Sequence, residues 1–240
     1  MISAKGIIFD YGGTIDTNGV HWGEVIWAQY QRAETNISKE LFREAYVHGE
    51  RTLAKSPIIE PCDTFHTLLK KKINIQFEYI AEQDTPLPAP MADTIANGCY
   101  AKVIETIGTT VAVVKKLAQE YPLVLVTNFY GNMPVVLEEF GLNGLFKQIV
   151  ESSVVGVRKP NPALFALGVE ALQLQPQEVV VVGDSYGKDI YPASTLGCHT
   201  VWLKNICWSE EPVIPGHEAT AMLSTLEQLP QAIQSILQKT

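Results

Sequence analysis

The chain has 240 residues, 46% of them hydrophobic and 18% charged, the make-up of an ordinary globular protein and not of a disordered or fibrous one. A formal net charge of -8 argues against a surface built to neutralise nucleic-acid phosphates or to dock on anionic lipid. Cys62, Cys99, Cys198 and Cys207 form no C-x-x-C pair, so the expectation is four reduced thiols and neither a zinc site nor a disulfide framework. The N-terminal stretch MISAKGIIFD lacks the pattern of a signal peptide, and no segment approaches the roughly twenty apolar residues of a membrane helix. A soluble, cytoplasmic protein with a small-molecule substrate, and without nucleic-acid or membrane partners, is therefore expected. Nothing in the sequence indicates its oligomeric state.

In chain order, the first strand is expected at Gly6–Phe9. It is apolar on consecutive residues instead of alternating, which suggests a strand covered on both faces. From about Thr17 to Asn97 the pattern turns helical. Trp22, Val25, Ile26, Gln29 and Tyr30 keep helical spacing, as do Leu41, Ala45 and Tyr46, and no convincing strand intervenes. The stretch ends in the turn-rich run Asp84 to Pro90. Residues 17–100 are read as a helical insertion, and residues 1–16 with 101–240 as the domain that it interrupts. Val111, Val114, Lys115 and Ala118 mark a helix closed by Pro122, followed by a strand at Leu123–Thr127. A helix at Pro134–Phe140 stops at Gly141, and Lys147–Val150 is a weaker strand. Then come a helix at Pro162–Leu172, strands at Val179–Val182 and Thr200–Leu203, and a closing amphipathic helix at Leu226–Leu237. Strands alternating with helices in this order predict an α/β fold, a doubly wound, Rossmann-like parallel sheet with an inserted all-helical domain.

Ligands of such sheets bind beyond the carboxyl ends of the strands. Asp10 follows the first strand, Thr127 and Asn128 the second, Asp184 and Ser185 the run of valines ending at Gly183. One acidic residue at a strand end often only caps the next helix. Two, with a threonine at a third strand end, make a convergent polar site.

These segments resemble the four motifs of the haloacid-dehalogenase-like hydrolases, in order and over the whole chain. Phe9-Asp10-Tyr11-Gly12-Gly13-Thr14-Ile15-Asp16 resembles the first, and Val126-Thr127-Asn128 the second. Arg158-Lys159-Pro160-Asn161-Pro162 with Phe165 resembles the third, and Val182-Gly183-Asp184-Ser185 through Asp189, with Ala193 and Gly197, the fourth. The helical insertion falls where this family carries a cap. The resemblance implies a hydrolase in which Asp10 attacks phosphorus and forms an aspartyl phosphate that water then cleaves. It implies Mg2+ held by Asp10, the Gly12 carbonyl and Asp184, with Asp189 either joining through water or orienting Lys159. Lys159, Thr127 and Asn128 would hold the phosphoryl group, and the substrate would be a small phosphorylated metabolite.

Phosphatases of the family carry a second Asp two residues after the nucleophile, as general acid and base. Here that residue is Gly12. General acid–base help is worth ~100- to 10,000-fold, so the loss is serious for ester cleavage. Haloacid dehalogenases lack that Asp because a halide leaves without a proton, and phosphonoacetaldehyde hydrolases lack it but use a cap lysine as a Schiff base. Both reactions stay open, as does a weakly catalytic relative that binds phosphate or a partner protein. Outside the motifs, Asp16 is read as a brace for the linker into the cap, and Thr14 as a turn-bracing hydroxyl. Lys70, Lys71 and Lys72 are read as a solvated helix face, Trp22 and Trp27 as cap packing, and His21, His48, His66, His199 and His217 as structural or surface residues.

Overall fold

The computed structural model describes residues 4–210 and 212–238. Six parallel strands form one sheet: β1 (Gly6–Phe9), β2 (Leu123–Thr127), β3 (Gln148–Glu151), β4 (Val179–Gly183), β5 (His199–Leu203) and β6 (Ala221–Leu223), in the order β3-β2-β1-β4-β5-β6. Successive residues of a strand point to opposite faces. Ile7 and Phe9 of β1, with Val180 and Val182 of β4, pack into the core on one side of the sheet, whereas Ile8, Val179 and Val181 pack into the other. Both faces are dry, which is why these runs are apolar at every position and not at alternate ones. On the second face lies α7 (Ala163–Leu172), and it comes unusually close. A Cβ on Gly168 would sit 2.6 Å from Val126 Cγ2 and 2.9 Å from Ile8 Cδ1.

The expected strands and helices are found within a residue or two, with two exceptions. β6 was not anticipated. It is a three-residue edge strand paired to β5 through Ala221, Met222 and Leu223, half exposed and too short to give a distinct pattern. The helix expected around Val111–Ala118 is the last part of α4 (Ala89–Ala118), a single 30-residue helix. It continues without interruption past Ala101, so no turn or linker marks the return to the sheet there. The C-terminal α9 (Leu229–Gln238) follows a single 3-10 turn at Leu226–Gln228. None of the helices among the described residues is long and apolar enough to cross a membrane.

Between β1 and α4 stand α1 (Trp22–Arg32), α2 (Lys39–Lys55) and α3 (Phe65–Gln83). Ser38 and Thr64 cap the latter two, each side-chain oxygen accepting from a backbone N–H of the first turn, Leu41 N and Thr67 N. Tyr30, Phe42, Phe77, Leu53, Ile73 and Ile80 fill the space between these helices and continue the core above the sheet. The helical layer is tied to the sheet domain by polar contacts. Glu139, ending α5 (Met133–Glu139), accepts from Phe65 N at 2.7 Å and from the Tyr100 hydroxyl at 2.8 Å, and Asn132 Nδ2 donates to Asp63 O at 2.9 Å.

Candidate active site

The chain leaves β1 toward β2 and β3 on one side, and later returns to place β4 on the other. β1 and β4 therefore flank the point where the strand order reverses, the place where parallel sheets open a crevice at their carboxyl ends. Asp10 stands at the end of β1, its N–H donating to Val182 O at 2.9 Å and so extending the ladder to β4. Asp184 follows β4. Thr127 ends β2, and Asn128 follows it.

Lys159 joins these ends. Its side chain is 2% exposed, and its ammonium donates to Asp10 Oδ1 and to Asp189 Oδ1, both at 2.6 Å. Asn128 holds the lysine's backbone from both sides: its Oδ1 accepts from Lys159 N at 2.9 Å and its Nδ2 donates to Lys159 O at 3.2 Å. The Asn128 amide is thus committed to placing Lys159. Asp189 accepts from Ser185 N on Oδ2 at 3.1 Å, so both its oxygens are engaged and its geometry is that of a residue orienting the lysine. Thr14, expected to brace a turn, instead donates to Asp10 Oδ2 at 3.0 Å and shares in aiming that carboxylate. Asp16 is a brace as expected. Its oxygens accept from Gly13 N at 2.7 Å and from Trp22 Nε1 at 2.9 Å.

Burial governs the electrostatics. It pushes the Asp10 carboxyl up to about 6 although Lys159 pulls the other way, and it pushes Asp16 up to about 7. Asp184 is raised well above the ordinary carboxylate range, first by burial and then by Asp10 and Asp189. Burial alone would lower Lys159, but the two aspartates outweigh it and keep the ammonium charged.

Carboxylate oxygens of Asp10, Asp184 and Asp189 lie within 4.8 Å of one another. Lys159 pairs with Asp10 and Asp189 but leaves Asp184 without a cation in ion-pair contact among the described residues. Carboxylates exceed buried cations here, and every donor is a hard oxygen. That set fits a magnesium ion. The turn after Asp10 lies flush on Asp184: Gly13 has φ +92°, and a Cβ there would stand 2.3 Å from Asp184 Oδ2, so only glycine allows this approach. Gly12 lines the same cavity.

The cavity holds about 120 Å³ and extends from these residues up to the helical layer, where Trp22, Tyr46, Glu50, Phe65 and Lys72 line it. Here one expectation is corrected. Lys70 and Lys71 are partly exposed, but Lys72 is buried, 2.6 Å from Glu50. The spacing of Phe65, Leu68, Leu69, Lys72, Gln76 and Ile80 puts Lys72 on the inward face of α3, and that period was the signal available in the sequence. Trp22 both packs in the helical layer and lines the cavity, as does His21. Glu50, Tyr130, Arg158 and Lys188 also line it. They come from four separate segments, and no local pattern joins them.

A parallel sheet with carboxylates and a buried lysine converging at its switch point defines an α/β protein with a polar site at the carboxyl ends of its strands. The model of the haloacid dehalogenase-like hydrolases matches residues 4–197, and the chain belongs to that family. Among curated relatives, a glyceraldehyde 3-phosphate phosphatase from Pyrococcus furiosus is 31% identical over 39% of this chain and 39% of its own length. The pyrimidine 5'-nucleotidase YjjG of Escherichia coli is 29% identical over 66% of this chain and 69% of its own. The alignments with the first relatives span only about two-fifths of those proteins or less. A solved L-2-haloacid dehalogenase superposes with a TM-score of 0.66 at 20% identity, covering 97% of this chain and 99% of that one, a likeness of fold.

Proposed function

We propose that the chain is a magnesium-dependent phosphatase of small phosphate esters, with Asp10 as nucleophile and residues 17–100 acting as its cap. The observation that carries this reading is the buried Asp10–Lys159–Asp189 chain, with 2.6 Å at each link. One carboxylate is aimed by Thr14 while a fixed ammonium lies against it, an arrangement that lets an anionic nucleophile meet an anionic substrate. Asp10 attacks phosphorus, the Asp10–phosphorus bond forms, and the ester oxygen leaves with its electron pair. Water then cleaves the aspartyl phosphate to inorganic phosphate and free Asp10. Lys159 and the Thr127 hydroxyl hold the phosphoryl oxygens, Asn128 keeps Lys159 in place, and Asp189 orients the ammonium. Asp10, the Gly12 carbonyl and Asp184 would hold magnesium, which supplies further countercharge to the phosphoryl oxygens. The glyceraldehyde 3-phosphate phosphatase and nucleotidase relatives support phosphate esters as the substrate class.

No carboxyl stands at Gly12 to protonate the leaving oxygen. Asp16 does not fill that role in this geometry, because both its oxygens already accept hydrogen bonds. The protein therefore favours leaving groups that depart without a proton, and activated aryl phosphates turn over faster than alkyl phosphates. A screen of both ester types, with 2-haloacids and phosphonoacetaldehyde alongside, each with and without magnesium, tests the assignment. Turnover of a haloacid without metal, and of no phosphate ester with it, would falsify the phosphatase reading.

The Schiff-base alternative has one observation in its favour, a cap lysine inside the cavity. Attack on a carbonyl needs a neutral amine, however. Burial would favour that form, but Glu50 outweighs it and holds Lys72 protonated. Borohydride reduction in the presence of phosphonoacetaldehyde should leave Lys72 unmodified, as peptide mass mapping would show.

A further inference from the structure

The wall that the cap gives to the cavity has its own polar cluster, and phosphoryl chemistry makes no use of it. Glu50 on α2, Lys72 on α3 and Tyr130 after β2 meet there. Lys72 Nζ lies 2.6 Å from Glu50 Oε1, the Tyr130 hydroxyl donates to Glu50 Oε2 at 2.9 Å, and the ammonium stands 5.4 Å from the Tyr130 ring centre. All three line the cavity, and the Lys72 side chain is 8% exposed. Lys72 is buried and Glu50 partly so, its side chain 32% exposed, and drawing such charges out of water is costly unless they serve each other or a ligand.

The charges at this wall are already matched. Burial alone would raise Glu50 and lower Lys72, but each partner outweighs it, so Glu50 lies below its usual range and Lys72 above. The neighbouring His21 is pushed down to about 4, chiefly by burial, and is neutral at pH 7. Arg158 and Lys188 also line the cavity, but both are exposed to solvent. A second carboxylate or phosphate on the substrate would find no unmatched buried cation here, and it would face Glu50. Hydrogen-bonding capacity, by contrast, is left over. The Lys72 ammonium, 2.6 Å away, fills one acceptor position of Glu50 Oε1 and leaves a second lone pair there, and of the three donors of an ammonium only one is used on that oxygen. An acceptor and a donor thus stand side by side. A single hydroxyl satisfies both, accepting from Lys72 and donating to Glu50. Trp22, Tyr46 and Phe65 complete the wall with aromatic surface suited to C–H faces, around a space of about 120 Å³ that matches a short chain.

We propose that Glu50, Lys72 and Tyr130 form a hydroxyl-recognising subsite, so that the substrate is a short polyol or sugar phosphate and not a phosphorylated carboxylic acid or a nucleotide. The proposal rests on the phosphatase reading above and names the substrate class of that same site.

Binding measured by titration calorimetry in magnesium tests it without relying on turnover. Glycerol 3-phosphate should bind at least about tenfold more tightly than propyl phosphate, because the deoxy ligand leaves the spare donor of Lys72 and the spare acceptor of Glu50 without a partner. In Lys72→Met the ratio of the two Kd values should fall to about one. Glu50→Gln, nearly isosteric and less disruptive to folding, should shrink it severalfold. Equal Kd values in the wild type would overturn the proposal. So would tighter binding of phosphoglycolate or of a nucleoside monophosphate than of glycerol 3-phosphate, or an unchanged ratio in folded Glu50→Gln. Hydrolysis of 4-nitrophenyl phosphate by the same preparation, with and without magnesium, reports separately on the phosphatase reading. Its failure would leave the Kd comparison standing.

Discussion

One cavity has two walls, and they are built in different ways. The sheet side brings Asp10, Thr127 and Asp184 from the ends of apolar strands, and Lys159 and Asp189 from loops, where Asn128 holds the lysine's backbone and Ser185 N donates to Asp189. The cap side brings Glu50 and Lys72 from the inner faces of two helices, and Tyr130 reaches them from the loop after β2. Reaction chemistry depends on atoms held by the ladder of a parallel sheet, whose geometry varies little. Recognition depends on helix packing, which can be rearranged without disturbing the strands. On the proposed reading, repacking the helical wall would alter recognition while leaving the residues at the strand ends in place.

The contrast breaks most visibly at Asp10. Asp10→Asn removes the nucleophile, and turnover of every phosphate ester should fall by at least about 10⁴-fold in steady-state assays. Residual activity near wild type would mean that the sheet wall is not the reacting one. Asp184→Asn should come next. Magnesium binding in calorimetry should weaken by ~10-fold or more, and metal-dependent turnover should vanish with it. Intact magnesium affinity in that variant would remove Asp184 from the metal set.

Gly12 sharpens the comparison, because there the sheet wall lacks a group. A Cβ added at Gly12 would meet nothing closer than Trp22 at 3.9 Å, and the backbone there is outside the left-handed region, so Gly12→Asp is sterically permitted. The restored acid should raise alkyl-ester turnover by up to ~100-fold and aryl-ester turnover much less. Equal gains on both ester types would show that protonation of the leaving group is not the limiting step.

Smaller effects test the packing beneath both walls. Gly168→Ala pushes a methyl into Val126 and Ile8 beneath the sheet, and it should cost about 1–3 kcal/mol in urea unfolding. Asp16 tests the linker. Its carboxyl is raised in the folded protein to about 7, above its value in an unfolded chain, so the folded state binds the proton more tightly. Its contribution to stability is therefore greatest in acid and is lost as pH rises from about 4 toward 7. In metal-free protein Asp16→Asn should flatten the stability profile over that window. A variant whose profile runs parallel to wild type would show that Asp16 does not titrate there.

The sequence by itself determined the sheet and the wall attached to it. A strand dry on both faces must be apolar at every position, so Gly6–Phe9, Leu123–Thr127 and Val179–Gly183 stand out, and the polar residues that follow them are at once candidates for the site. The edge strand Ala221–Leu223 escaped because an edge is half wet and short, and the first half of α4 gives a weak signal because the residues that keep helical spacing there, Ala92, Ile95, Ala96 and Cys99, are mostly small. What the tertiary structure alone decided was pairing across distance. Asn128 was legible as a strand-end residue, but not as the clamp on Lys159, thirty-one positions away. The period of α3 turns Lys72 inward, but whether a charge can be buried there is settled by Glu50, a partner that local sequence does not contain.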